Sequence, residues 1–290
     1  MRPADLRRST LFVAGADTDI HALALRARPD MLIQDLEDGT PAQLRQAARQ
    51  CSAALFADAK RHGILAAVRI NTLESIGQED LAAVITAQPQ AVFLPKCTSA
   101  TQVAALSQEL DRLEAQFRLS PGAIEIVPNA ETAAGVVNLK EIVQASPRVK
   151  SALLATEDLA SDLFAERSPE AEELAYARAR FLLEARAFGI EPIDAPFTFA
   201  DPQGCEREAR RSRKLGYRSK SVVLAEHVAV VNRVFTPSDE ELKLARETVT
   251  AFEQARAEGK DRALVGGLWI EPPTYMNAKR LLERARRLQV

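Results

Sequence analysis

Met31-Leu32-Ile33-Gln34-Asp35-Leu36-Glu37-Asp38 is an apolar run that turns acidic at its downstream end, and it is one of eight short apolar runs along the chain. The strand-like runs lie at 9–15, 31–38, 64–71, 91–96, 124–131, 150–158, 191–197 and 220–226. Between them, Ala-, Leu-, Arg- and Glu-rich stretches such as 42–62, 100–118 and 170–188 read as helices, the last closed by Gly189. Strands alternating with helices predict right-handed crossovers and a parallel sheet buried on both faces. Eight such units predict an α/β fold closed into a (β/α)8 TIM barrel. No dinucleotide glycine fingerprint or phosphate loop follows any run, which weakens the open-sheet alternative.

In such a barrel, chemistry gathers where the strands end. Four of those ends hold Glu37/Asp38, Arg69, Glu131 and Asp158. Strand parity puts Asp35 with Glu37 on one face, Arg69 with Asn71, Asn129 with Glu131, and Thr156 with Asp158. The set reads as a mouth ready for a metal. Arg69 either pairs with Glu37 or Asp35 or meets a substrate, and the two are compatible. Asp38 either reaches a metal through water or caps a helix ahead of Pro41.

The composition narrows the classes. A net charge of -2 without a basic, aromatic-interleaved run predicts no nucleic-acid partner. Cys51, Cys97 and Cys205 are too few and scattered for a disulfide framework or a thiolate zinc site, and His21, His62 and His227 lack ligand spacing. Cys97 has no His partner evident as a nucleophile. A charged N-terminus without a long apolar stretch predicts no membrane span and a cytoplasmic protein. After Phe235-Thr236-Pro237 the pattern changes: Ser238 and Glu241 form a capping box for a helix to about Glu258, followed by Gly266-Gly267, Pro272-Pro273 and a last amphipathic helix. The expected organisation is a catalytic barrel over 1–237 and a helical arm over 238–290, packing on the barrel rim or a neighbouring subunit. Trp269 is read as its hydrophobic anchor.

Arg8-Ser9-x-Leu11-Phe12-Val13, Asp35-Leu36-Glu37-Asp38, Val68-Arg69-Ile70-Asn71, Leu94-Pro95-Lys96, Glu131-Thr132-Ala133-Ala134-Gly135, Glu157-Asp158-Leu159 and Phe235-x-Pro237 occur in order. Together they resemble the citrate lyase beta subunit-like family of the HpcH/HpaI aldolase superfamily. The resemblance spans nearly the whole chain. It implies a barrel that assembles as a homotrimer or hexamer, binds Mg2+, and breaks or forms a carbon-carbon bond beside a thioester.

Carried onto this chain, the resemblance makes Glu131 and Asp158 the metal ligands, with water and the substrate's oxygens completing the shell. A hard ion with one or two carboxylates suits that set. Arg69 would clamp a carboxylate or a thioester oxygen becoming an enolate, Glu37 would orient Arg69, and Lys96 would attract a CoA phosphate. Glu271, in the arm, would handle the proton at the thioester's alpha carbon. The implied substrate is a citramalyl-CoA or malyl-CoA type thioester, cleaved to acetyl-CoA and a keto acid. The alternatives are the beta subunit of a multi-subunit citrate lyase needing an acyl-carrier partner, or a degenerate barrel that only binds a keto acid. This chain departs from the family pattern at Ala14, Ala155, Ser219, Leu224-Ala225 (for His-Pro) and Glu271 (for Asp).

Overall fold

In a computed structural model, which describes residues 2–290, the apolar runs become β1 (Ser9–Ala14), β2 (Met31–Asp35), β3 (Leu65–Arg69), β4 (Ala91–Leu94), β5 (Glu125–Ala130), β6 (Ser151–Leu154), β7 (Glu191–Asp194) and β8 (Ser219–Val222). They pair in chain order, all parallel, and β8 closes on β1. This is the expected TIM barrel. Met31, Ile33, Leu65, Ala67, Ala91, Phe93, Val127, Leu153 and Ile193 form one buried cluster inside it. Residues of the other parity, among them Leu32, Val68, Val92, Ile126 and Leu154, are equally buried. Burial on both faces explains why the runs read as continuously apolar.

Every strand stops short of the polar tail that its sequence suggested. At β2 the cause is visible: the Asp35 carboxylate accepts from the backbone N–H groups of Glu37 (3.0 Å) and Gly39 (2.8 Å), turning the chain off the sheet. After β6 the chain enters a helix, Thr156–Asp162, so Thr156 and Asp158 do not share a strand face. Acidic residues in a first helical turn are favoured by the helix dipole, and their composition mimics a strand's polar end. Asp38 caps nothing either, because the turn Ala42–Leu44 begins after Pro41 without a side-chain cap.

The chain divides into two compact units after Arg233, inside the helix His227–Phe235. In the second, Val234–Val290, helices Asp239–Ala257 and Pro272–Leu288 flank a hairpin of β9 (Ala263–Val265) and β10 (Leu268–Ile270). The Ser238–Glu241 capping box is present. Gly266 and Gly267 both take positive φ, +57° and +82°, as a two-residue hairpin turn requires. Phe252, Ala255, Ala263 and Ile270 form this unit's core, with Tyr275 stacked on Phe252 at 4.7 Å. Trp269 is exposed in the single chain, beneath the Arg262 guanidinium at 4.5 Å.

Between the sheet and its outer helices the barrel holds a buried charge network. Asp194 of β7 accepts from Arg178 Nη2 (2.6 Å), Ser212 Oγ (2.6 Å) and Lys220 Nζ (2.9 Å), and Lys220 also reaches Glu208 at 2.6 Å. Burial alone would raise the Asp194 carboxyl, but the charges of Arg178 and Lys220 pull it well below the usual range.

The end of the barrel where the strands begin opens a cavity of about 800 Å³. Its arginines are matched by carboxylates: Arg7 with Glu125 (2.7 Å), Arg148 with Glu114 (2.5 Å) and Arg186 with Glu191 (2.9 Å). Paired charge at that face serves stability. Nearby, burial would raise the Asp30 carboxyl, but hydrogen bonds and charge from Arg8 outweigh it and hold it low. A lowered folded-state value stabilises the fold above the unfolded value of about 4, and that contribution is lost as pH falls through the folded one. Asp30→Asn should therefore melt below wild type at about pH 7, with the gap closing toward about pH 3. A gap constant across that range would rule out an ionic role.

Candidate active site

At the opposite end, where the strands finish, a cavity of about 420 Å³ is lined by Phe12, Asp35, Arg69, Leu153, Thr156 and Asp158 among others. Asp35 and Arg69 are the last residues of β2 and β3 and are partners in the register. Arg69 donates Nε to Asp35 Oδ1 (2.8 Å) and Nη2 to Oδ2 (2.5 Å), a two-pronged pair. Its carbon Cζ lies 5.2 Å from the centre of the Phe12 ring. Burial disfavours the charge, but Asp35, Glu37 and Glu131 more than compensate and raise the guanidinium further.

Glu37 is therefore only a secondary partner of Arg69, at 3.4 Å from Nη1, and the orienting carboxylate is Asp35. The physical reason is register: Asp35 sits beside Arg69 on the neighbouring strand, whereas Glu37 lies past the point where β2 has ended. Glu37 is buried and accepts from Lys96 Nζ at 2.6 Å. Lys96 is half-exposed, follows β4 at φ +51°, and spans to Asp38 at 3.4 Å. The Glu37 hydrogen bond pushes its ammonium up to about 12.

Glu131 follows β5 and is 1% exposed. One carboxylate oxygen accepts the Lys96 backbone N–H, while Oε2 has no hydrogen-bond partner within the chain. Burial, aided by the charges of Asp158 and Glu37, raises this carboxyl to about 7 against the pull of Lys96 N–H and Arg69. Asp158 is exposed in the first turn of Thr156–Asp162. At this end Glu37 Oε2, Thr156 Oγ1 and both amide atoms of Asn129 are also buried without a hydrogen-bond partner within the chain. Each unsatisfied buried group costs about 1–3 kcal/mol unless water or a ligand completes its bonding.

Among the described residues no three His, Cys, Asp or Glu side chains are grouped to hold a metal. Glu131 and Asp158 nevertheless fit a hard cation: their donors are oxygens, Glu131 is buried and unsatisfied, and the charge of Asp158 disfavours its ionised form. Cys97 is buried and its thiol is pushed up to about 12, which suits packing and no nucleophile. His21 bonds the Ala14 carbonyl, His62 bonds the Asp58 carbonyl, and His227 packs by Phe197, all away from one another. Asn71 is structural, tied to Asp80 and the Leu36 carbonyl. Glu271 belongs to the second unit, exposed at the N-cap of Pro272–Leu288.

The model of the HpcH/HpaI aldolase/citrate lyase family matches residues 8–225. The chain is 31% identical over 286 residues to the citrate lyase beta subunit of Escherichia coli (strain K12), covering 98% of this chain and 95% of that protein. It is 27% identical to the mitochondrial citramalyl-CoA lyase of Rattus norvegicus, covering 96% and 86%. Its structure is similar to that of protein CitE from Mycobacterium tuberculosis in complex with magnesium, acetoacetate and coenzyme A. That TM-score is 0.78 at 28% identity, with 96% of this chain and 97% of that one covered. Fold and sequence agree, and the chain belongs to the HpcH/HpaI aldolase/citrate lyase family.

Proposed function

We propose that the chain is a Mg2+-dependent carbon-carbon lyase that cleaves a short hydroxyacyl-CoA thioester, of the citramalyl-CoA or malyl-CoA type, to acetyl-CoA and a keto acid. The observation that carries this reading is the Asp35-held guanidinium of Arg69 in one mouth with the buried, unsatisfied carboxylate of Glu131. No helix among the described residues is long and apolar enough to cross a membrane. Cytoplasmic location and assembly as a homotrimer or hexamer complete the proposal.

Glu131 and Asp158 would hold the magnesium, which when bound polarises the hydroxyl or keto oxygen as a Lewis acid. The Lys96 backbone N–H fixes the rotamer of Glu131 from behind. Arg69, with Nε and one Nη2 hydrogen committed to Asp35 and Nη1 3.4 Å from Glu37, keeps further N–H donors that would take the thioester oxygen as negative charge grows. In cleavage the hydroxyl passes its proton to water, its oxygen forms the keto carbonyl as the carbinol-to-alpha-carbon bond breaks, and the electron pair of that bond becomes the thioester enolate. Protonation of the alpha carbon then gives acetyl-CoA. We assign that proton to Glu271. Lys96 is the rim cation available to a CoA phosphate, at the expense of its pair with Glu37.

Arg69→Lys should lower kcat/KM by about a hundredfold, because an ammonium cannot span Asp35 and a ligand as the planar fork does. Steady-state kinetics with magnesium would check it, and unaltered kinetics would remove Arg69 from the site. A second reading, a citrate lyase beta subunit acting on a carrier-bound acyl group, is favoured by the higher identity to the Escherichia coli subunit. One assay separates the two. The purified chain with Mg2+ and citramalyl-CoA or malyl-CoA should release a keto acid by itself; no release would defeat the stand-alone reading.

A further inference from the structure

Asp158 lines the mouth from the first turn of the helix Thr156–Asp162, which begins at Ala155 without a side-chain cap. An uncapped first turn leaves backbone N–H groups unpaired and is prone to fray, so a ligand carried there needs another restraint. The far end of the helix is anchored. Asp162 Oδ2 accepts the backbone N–H of Ala133 at 2.7 Å, two residues past Glu131. The near end is held through Glu157, whose Oε1 accepts from Arg167 Nε (3.1 Å), Arg167 Nη2 (3.0 Å) and Thr198 Oγ1 (3.2 Å). Arg167 is fixed in turn: its Nη1 donates to Glu173 Oε1 at 2.6 Å, and Glu173 accepts from the backbone N–H (3.2 Å) and hydroxyl (2.7 Å) of Ser168. Glu173 lies in the turn Glu172–Leu174 that leads into the helix Ala175–Ala187.

Resting on the metal reading above, we propose that Arg167 is a positioning residue for magnesium: by bracing Glu157 it sets where Asp158 presents its carboxylate relative to Glu131. Successive residues of a helix diverge by about 100°, so the guanidinium grips Glu157 without competing for Asp158. One turn of backbone carries both, and a shift of Glu157 moves Asp158 with it. Glu131 is buried and held by the Lys96 N–H, whereas Asp158 is exposed, so the spacing of the pair is decided on the Asp158 side. Mg2+ demands near-ideal octahedral geometry, which ties affinity to that spacing. Two effects of Arg167 have opposite signs. As a cation it repels Mg2+, so its removal would tighten binding by charge alone. As a brace it holds the carboxylate in place, so its removal weakens binding.

Calorimetry of Mg2+ alone with the full chain separates the two. Arg167→Met should weaken Mg2+ binding by about tenfold, the usual effect of deleting a group that orients a metal ligand. Arg167→Lys keeps the charge but loses the two-pronged grip on Glu157, and should weaken binding by at least about threefold. If the methionine variant does not fold, as judged by melting with a chelator present, the lysine variant decides alone. Affinity unchanged in folded variants would make Arg167 merely structural and overturn the inference. Tighter binding in the methionine variant would overturn it as well, since charge repulsion would then outweigh any bracing. An absence of Mg2+ binding by wild type would instead overturn the metal reading, and this inference with it.

Discussion

Glu131→Gln should silence the enzyme and at the same time stabilise its metal-free form. Without the carboxylate, magnesium heat in calorimetry should vanish and kcat/KM should fall by about a thousandfold, as expected when a principal electrostatic contact to the transition state is removed. The stability effect follows from burial. Glu131 ordinarily releases its proton near 4.5 but holds it to about 7 in the fold. The folded chain therefore binds more protons than the unfolded one between those values, and stability falls as pH rises through them. Glutamine carries no such proton. With a chelator present, the variant should melt several degrees above wild type at about pH 8, and the difference should close at about pH 4. A variant that melts lower at about pH 8 would mean that the ionised carboxylate is stabilised by the fold.

Asp194→Ala should cause the largest loss of stability. It would leave Arg178 and Lys220 in a fully buried position with Glu208 as the only carboxylate between them. Removing one partner of a buried ion cluster costs about 3–5 kcal/mol, about 10 °C in melting temperature for a chain of this size. Lys220→Met is the informative contrast. Asp194 would keep Arg178 and Ser212, so the loss should be smaller. Denaturant midpoints would compare the two, and equal losses would mean that Lys220, rather than Asp194, organises the cluster.

Much of the barrel could be read from the chain because both faces of each strand are buried, which leaves an unbroken apolar run for each of the eight. Strand ends were harder. Thr156-Glu157-Asp158 serves equally as a polar strand tail or an acidic first helical turn, and only the path of the backbone decides between them. The partner of Arg69 was within reach of parity, which allowed both Asp35 and Glu37; the register, a non-local property, selects Asp35. The hairpin around Gly266-Gly267 has its signature in two adjacent glycines between Leu264-Val265 and Leu268-Trp269, a short signal set between two much longer helical patterns. For Asn129, parity gave the direction, but its lack of partners is a property of everything around it and appears in no local motif.

Asp35 spends its two oxygens on four donors: two backbone N–H groups of the loop after β2 and two N–H groups of Arg69. Gly39 has to be glycine for this, since a Cβ there would overlap the carboxylate. Loop and guanidinium are thereby geared together. Any rotation that carries Arg69 away from Asp35 would also slacken the turn carrying Glu37 and Asp38, and with it the grip on Lys96. Movement of the guanidinium and opening of that rim are then linked through a single carboxylate.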